Sequence, residues 1–374
     1  MDKKQRGQLL KNFVKVLLLF SFLYFFLVSI ELLGASFMMF GEGFATRLLQ
    51  ITANPIVGLF IGILATSIVQ SSSCTTSIIV GMVAAGVIPL RGAIPIVMGA
   101  NIGTTVTAIL VSLAHITRPT EFRRAFAGAI VHDNFKMLSV IILLPLEHYT
   151  HYLEYSGTFL ANVFSGIGGF NAVSPLKIIV KPVAHFIVDG IQWIIPLDLW
   201  AALLSVVVAF ALLFASLTWL VKLMKTVIIG KIERLLHDYL FVNARRSFIL
   251  GLIFTAIIQS SSVVTSLVIP LVGAGILSVE QIFPYTLGAD IGTTITAMLA
   301  ALITQSPVGI ATAFVHLLFN ISGAIIWYPL RKVPITIAKK ISDVVARRRW
   351  LAIVFVLGLF FGLPLFLIFI TGGF

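Results

Sequence analysis

Two four-residue runs, Gln70-Ser71-Ser72-Ser73 and Gln259-Ser260-Ser261-Ser262, concentrate hydroxyls and carboxamides in an otherwise apolar sequence. Neither holds a His, a carboxylate, a Lys or an Arg. Hydrolysis needs a nucleophile with a base in reach, so this chemistry points instead to non-covalent binding of a small ion. A helix interrupted at such a run exposes backbone N–H groups beside the hydroxyls, and helix N-termini attract anions. Two glycine-bearing runs follow, Gly99-Ala100-Asn101-Ile102-Gly103-Thr104-Thr105 and Gly288-Ala289-Asp290-Ile291-Gly292-Thr293-Thr294. Their Asn101, Thr104, Asp290 and Thr293 offer the oxygen ligands that small hard cations prefer. The glycines admit two readings, close helix packing or locally unwound backbone.

The elements that position these groups must lie in a bilayer. Of 374 residues, 59% are hydrophobic and 11% charged, against about 25% charged in soluble domains. That excludes a soluble enzyme, a disordered chain and a secreted disulfide scaffold; Cys74 is the single cysteine. Continuous apolar runs lacking period-two alternation argue against an outer-membrane barrel. The net charge of +12 lies in short loops between apolar runs, which is a membrane-orientation pattern and not a nucleic-acid surface. Charge-poor runs at 16–40, 48–90, 92–114, 199–221, 247–279, 309–330 and 350–374 mark the membrane segments. Two of them, 48–90 and 247–279, are broken in the middle by the Gln-Ser-Ser-Ser runs.

The chain repeats itself. Gln70 and Gln259 stand 189 residues apart, and at that offset Thr76-Ser77 meets Thr265-Ser266, Pro95 meets Pro284, and the two glycine runs coincide. About 23 of the 52 positions from Gly62 to Leu113 are identical without a gap, too many polar matches for chance similarity between apolar stretches. His132 and Phe135 then match His316 and Phe319 at an offset of 184. Basic residues crowd the loop before the second copy (Lys222, Lys225, Lys231, Arg234, Arg245, Arg246) but follow the glycine run of the first (Arg118, Arg123, Arg124). By the positive-inside rule the copies are inverted in the membrane.

The expected fold is an all-α polytopic membrane protein with two inverted-topology repeats, re-entrant hairpins and discontinuous helices. Residues 1–15 form a basic cytoplasmic N-terminus, 16–146 the first repeat, and 147–198 a mainly extracytoplasmic connection. Residues 199–330 form the second repeat, and 331–374 a basic cytoplasmic loop with a final transmembrane helix. Residues 55–90 enter as a hairpin from outside and 247–279 from inside. The crossing at 93–116 is expected to be interrupted by its glycine run, and residues 125–146 then cross outward.

These motifs resemble those of the type II sodium-dependent phosphate cotransporter family. The carrying residues are Val69-Gln70-Ser71-Ser72-Ser73, Met98-Gly99-Ala100-Asn101-Ile102-Gly103-Thr104, Glu121-Phe122-Arg123-Arg124-Ala125-Phe126-Ala127-Gly128-Ala129, Leu143-Leu144-Pro145-Leu146-Glu147 and Gln259-Ser260-Ser261-Ser262. The resemblance spans about residues 30–370. The short, cysteine-free 147–198 region is similar to bacterial members, which implies a bacterial inner (plasma) membrane with the N-terminus cytoplasmic. It implies a sodium-driven importer of inorganic phosphate working by alternating access, as a homodimer or functional monomer in lipid, with no cofactor beyond the co-transported sodium. Gln70, Ser71, Ser72, Ser73, Gln259, Ser260, Ser261 and Ser262 would cradle phosphate; Gln259, Ser260 and Thr296 would also hold sodium.

The resemblance implies a further sodium ligand at Asp133, which completes an Ala127-x-Ala129-x-x-x-Asp133 pattern found in electrogenic members. Three residues depart from that pattern. Lys136 replaces an Asn, and His115 and Arg118 stand where electrogenic relatives have Gln and Asp. Three residues along a helix, Lys136 can instead pair with Asp133. Asp290 is another departure, since the family has Asn there.

With no Lys or Arg in either motif, a doubly charged phosphate must borrow its counter-charge from co-transported cations. Two alternatives stay open: a sodium-coupled carrier of another small oxyanion such as sulfate, and a membrane-embedded phosphohydrolase, for which His132-Asp133 is the only suggestive pair.

Overall fold

The computed structural model describes residues 3–40, 49–165, 175–239 and 243–371. The loop carrying Glu42 and Arg47 lies outside the described residues. So do Met1 and Asp2 and the side chains of Lys3 to Lys11, Lys225, Lys231 and Arg234.

Every described element is helical. A first long helix, α1 (Lys3–Met38), precedes the first hairpin, α2 (Pro55–Val69) and α3 (Ser72–Ala84). The crossing α4 (Leu90–Gly103) and α5 (Val106–Leu113) follows, then α6 (Pro119–Thr150), α7 (Tyr152–Phe164), α8 (Pro175–Ile194) and α9 (Asp198–Tyr239). The second hairpin is α10 (Ala244–Ile258) and α11 (Ser261–Gly273), followed by the crossing α12 (Val279–Thr304) and by α13 (Pro307–Trp327). Helix α14 (Lys332–Arg347) leads to α15 (Trp350–Leu357), a π-turn at Gly358–Gly362, and α16 (Leu363–Ile370).

Among the described residues, seven segments are long and apolar enough to cross a membrane: Phe13–Met38, Leu90–Leu113, Pro119–Thr150, Asp198–Leu223, Val279–Thr304, Pro307–Trp327 and Trp350–Ile370. At 1.5 Å per residue the hairpin arms reach about 20 Å, short of the roughly 30 Å hydrocarbon core. Each pair of arms folds back at its Gln-Ser-Ser-Ser run, as the sequence predicts, and neither arm is long enough to cross alone.

The two copies are built alike at the level of backbone. Each hairpin's first arm lies against its own crossing helix at a distance that only glycine permits. A Cβ on Gly99 would stand 1.9 Å from the Leu59 carbonyl oxygen, and one on Gly288 would stand 1.9 Å from that of Phe248. Gly62 against Ile96 and Gly251 against Tyr285 repeat the match, at 2.1 and 2.0 Å. All these partners are related by the same 189-residue offset. This decides between the two readings of the glycines: they serve close packing.

The unwound-backbone reading fails in the second copy, where α12 runs unbroken through Gly288, Asp290 and Gly292. In the first copy the crossing does break, at Thr104–Thr105, where the Thr105 amide bonds the Ile102 carbonyl three residues back. The next crossing begins at Pro119, six residues before the expected start. Region 147–198 contains α7, packed on α13, and α8, packed on α1. Phe122, Phe126, Phe135, Phe283, Tyr285 and Phe319 are buried in the apolar core shared by both halves.

Candidate functional site

Each Gln-Ser-Ser-Ser run is the tip of a hairpin, and its residue types explain the turn. Gln70 and Gln259 close the first arms in the left-handed region, at φ 55° and 61°. Their amides bond back to Thr66 (2.6 Å) and Thr255 (2.7 Å). Ser71 and Ser260 are extended, at φ −145° and −152°, and cap the second arms. Their hydroxyls accept from the Cys74 amide at 3.2 Å and the Val263 amide at 3.4 Å. Serine is a preferred N-cap because its oxygen satisfies one of the free amides there. Two capped N-termini of matching conformation therefore stand at the two tips.

The tips meet. The Ser73 hydroxyl donates to the Gln259 carbonyl oxygen at 3.1 Å and lies 3.2 Å from the Thr293 hydroxyl. Thr296 donates to the Gln259 carboxamide oxygen at 2.7 Å, and the Gln259 NH2 donates to the Ala256 carbonyl at 2.6 Å. Ser73, Gln259, Thr293 and Thr296 thus form one polar cluster from both copies. Ser72, Ser261 and Ser262 are buried beside them, whereas Gln70 is exposed. Thr104 is turned onto its own helix, donating to the Ala100 carbonyl at 3.0 Å.

A second cluster lies one turn away along α12, because Asp290 is three residues (about 4.5 Å of rise) from Thr293. His132 Nε2 is 2.9 Å from both Asp290 carboxylate oxygens. Lys136 Nζ is 2.9 Å from Asp290 Oδ1 and donates at 2.9 Å to the main-chain oxygen of Asn101. The side chains of His132, Lys136 and Asp290 are each 1% exposed. The alternative Asp133–Lys136 pairing is not the one that forms: the ammonium reaches across to the other copy. Asp133 is bonded instead by the Thr105 hydroxyl at 2.8 Å, and its second oxygen has no protein partner. The Asn101 side-chain oxygen and both ring nitrogens of His316 are likewise buried without one.

Sequence reasoning placed Asn101, Asp133 and Asp290 among the cation ligands but missed His132 and Lys136 as partners of Asp290, Lys136 as the partner of the Asn101 main chain, and Thr105 as the partner of Asp133. The available signal was the opposite charge of two departures from the family pattern, Lys136 and Asp290. His115 and Arg118, the other departures, lie apart from the site and pair with Glu121 at 3.2 and 3.0 Å.

The Na+/Pi-cotransporter family profile matches residues 25–168 and 212–366. The human sodium-dependent phosphate transport protein 2B is 33% identical over 97% of this chain and 66% of its own length. The rat sodium-dependent phosphate transport protein 2A is 34% identical over 94% of this chain and 67% of its own. The chain thus spans about two thirds of the length of these relatives. No solved structure matches it significantly.

Proposed function

The chain belongs to the Na+/Pi-cotransporter family, and on that premise we propose that it imports inorganic phosphate by coupling it to inward sodium movement through alternating access. It is a carrier and not an enzyme, as its relatives are transport proteins. The observation that carries the reading is the contact of Ser73 with the Gln259 carbonyl, which joins the tips of the two hairpins into one site.

In this reading Gln70, Ser71, Ser72, Ser73, Gln259, Ser260, Ser261 and Ser262 receive phosphate between two helix N-termini, whose free amides and positive dipole ends favour an anion. Gln259, Ser260, Thr293, Thr296, Asn101, Thr104, Asp290 and Asp133 are the pool of sodium ligands. The pseudo-symmetric halves 16–146 and 199–330 are inverted in the plasma membrane, so each hairpin gates one side. The Lys136 charge is already matched by Asp290, so a doubly charged anion still finds no free fixed cation and depends on sodium for its counter-charge. That dependence is the coupling: phosphate is held well only when sodium is present, and sodium is drawn in by about 2.3 kcal/mol per charge per 100 mV.

The test is labelled phosphate uptake into proteoliposomes with sodium or potassium outside. Uptake in sodium at least tenfold above potassium is expected, and equal uptake would end the proposal. Competition by sulfate as strong as by phosphate would instead favour a broader oxyanion carrier.

A further inference from the structure

Two of the side chains that break the internal symmetry meet at one place. Asp290 stands where the first copy has Asn101, and Lys136 stands where the second has Asn320, at the same 184-residue offset that aligns His132 with His316. One departure adds an acid and the other a base, and Lys136 Nζ lies 2.9 Å from Asp290 Oδ1. The pair spans the two copies, since α6 belongs to one and α12 to the other.

The ammonium has a second partner that a simple ion pair would not need. It donates at 2.9 Å to the main-chain oxygen of Asn101, in the last turn of α4, just before the break at Thr104–Thr105. Carbonyls in a last turn carry the negative end of the helix dipole. A buried carboxylate oxygen together with a helix-end carbonyl is the oxygen set that binds Na+ in interrupted membrane helices. The Lys136 nitrogen sits at that position on a four-carbon tether. Nearby, the Thr105 hydroxyl bonds one oxygen of Asp133 and leaves the other without a protein partner, and His132 Nε2 shares the Asp290 carboxylate with the ammonium.

We propose that Lys136 is a built-in cation that fills a sodium position formed by Asp290 and the Asn101 carbonyl, so that each phosphate enters with one sodium ion fewer than it would were Lys136 neutral. This rests on the transport reading above and deepens it. A charge that stays with the protein neutralises the Asp290 carboxylate without drawing on the sodium gradient. The cost is less driving force per phosphate, and the gain is uptake at lower external sodium.

The test uses the full chain with Lys136→Asn, and with Lys136→Asn combined with Asp290→Asn. Thermal unfolding in sodium chloride is compared with choline chloride, without phosphate. Sodium at about 100 times the dissociation constant of this position should raise the midpoint of Lys136→Asn, relative to choline, about 5 °C more than it raises that of the wild type or of the double variant. In proteoliposomes the labelled sodium-to-phosphate ratio of Lys136→Asn should rise by one.

Equal instability of Lys136→Asn in both salts, with recovery in the double variant, would mean a structural clamp and overturn the proposal. A folded Lys136→Asn with the wild-type ratio would overturn it as well. Should wild-type uptake prove indifferent to sodium, the transport reading fails, yet the sodium-specific thermal shift still decides whether Lys136 occupies a cation position.

Discussion

In the second copy Gln259 lies over Thr296, with its carboxamide oxygen 2.7 Å from the hydroxyl. In the first copy Gln70 is exposed, and the hydroxyl of Thr107, which corresponds to Thr296, is buried without a partner. Yet the backbones around them are near-duplicates: the same left-handed glutamine, the same serine cap, the same glycine contacts. The comparison separates two layers of the design. Glycines and caps, which shape the hairpins, are held in common. Side chains that bond across the site differ, so the same scaffold presents two unequal faces to an ion.

The strongest way to break that comparison is to attack what is common. Gly99→Leu and Gly288→Leu each push a side chain into a backbone carbonyl 1.9 Å from the Cβ position. Both should cost more than about 3 kcal/mol, the upper end of ordinary overpacking, because backbone cannot step aside. Size-exclusion profiles in detergent should show the monodisperse peak lost for both. A tolerated Gly288→Leu beside an intolerant Gly99→Leu would mean the copies are not equivalent even in their scaffold.

The unequal layer gives graded effects. Gln259→Ala removes two hydrogen bonds worth roughly 1 kcal/mol each, so sodium-driven uptake efficiency should fall about 30-fold. Gln70→Ala should lose less than about fivefold, having no such bonds to give up. Matched losses in an uptake assay would erase the asymmetry. At finer scale, Thr296→Val should raise the sodium needed for half-maximal uptake about tenfold, while Thr107→Val, losing an unbonded hydroxyl, should move it less than about twofold. Smallest of all, Ser71→Ala and Ser260→Ala each lose a cap and should lower thermal stability by about 1 kcal/mol alike.

Much of this was legible before any coordinates. The repeat, the hairpin tips and the break at each Gln-Ser-Ser-Ser run follow from polar residues recurring at one offset in apolar surroundings. The charge cluster left one trace in the sequence, the opposite signs of Lys136 and Asp290, and nothing that paired them. Lys136 has Asp133 three residues away and Asp290 154 residues away, and local periodicity favours the near partner. Only the packing of α6 against α12 brings the far one within 2.9 Å. Nor could local sequence distinguish the broken crossing from the whole one, since Gly103-Thr104-Thr105 and Gly292-Thr293-Thr294 are the same tripeptide. The difference lies in what each faces. Thr105 donates to Asp133 at 2.8 Å. The residue matching Asp133 in the second copy is Leu317, and there Thr294 bonds only its own helix, at Ile291.

That interruption at Thr104–Thr105 also sets where the molecule can yield. A rod of α-helix resists bending through its ladder of four-residue bonds, and α12 stays helical for all of its 26 residues, lacking the amide of Pro284 alone. The α4–α5 crossing drops a rung beside Asp133, so of the two struts it is the knee and α12 the shin. Whatever flexing these two crossings undergo falls first on the first copy, and the threonine that marks the joint is tied to a carboxylate with one oxygen to spare.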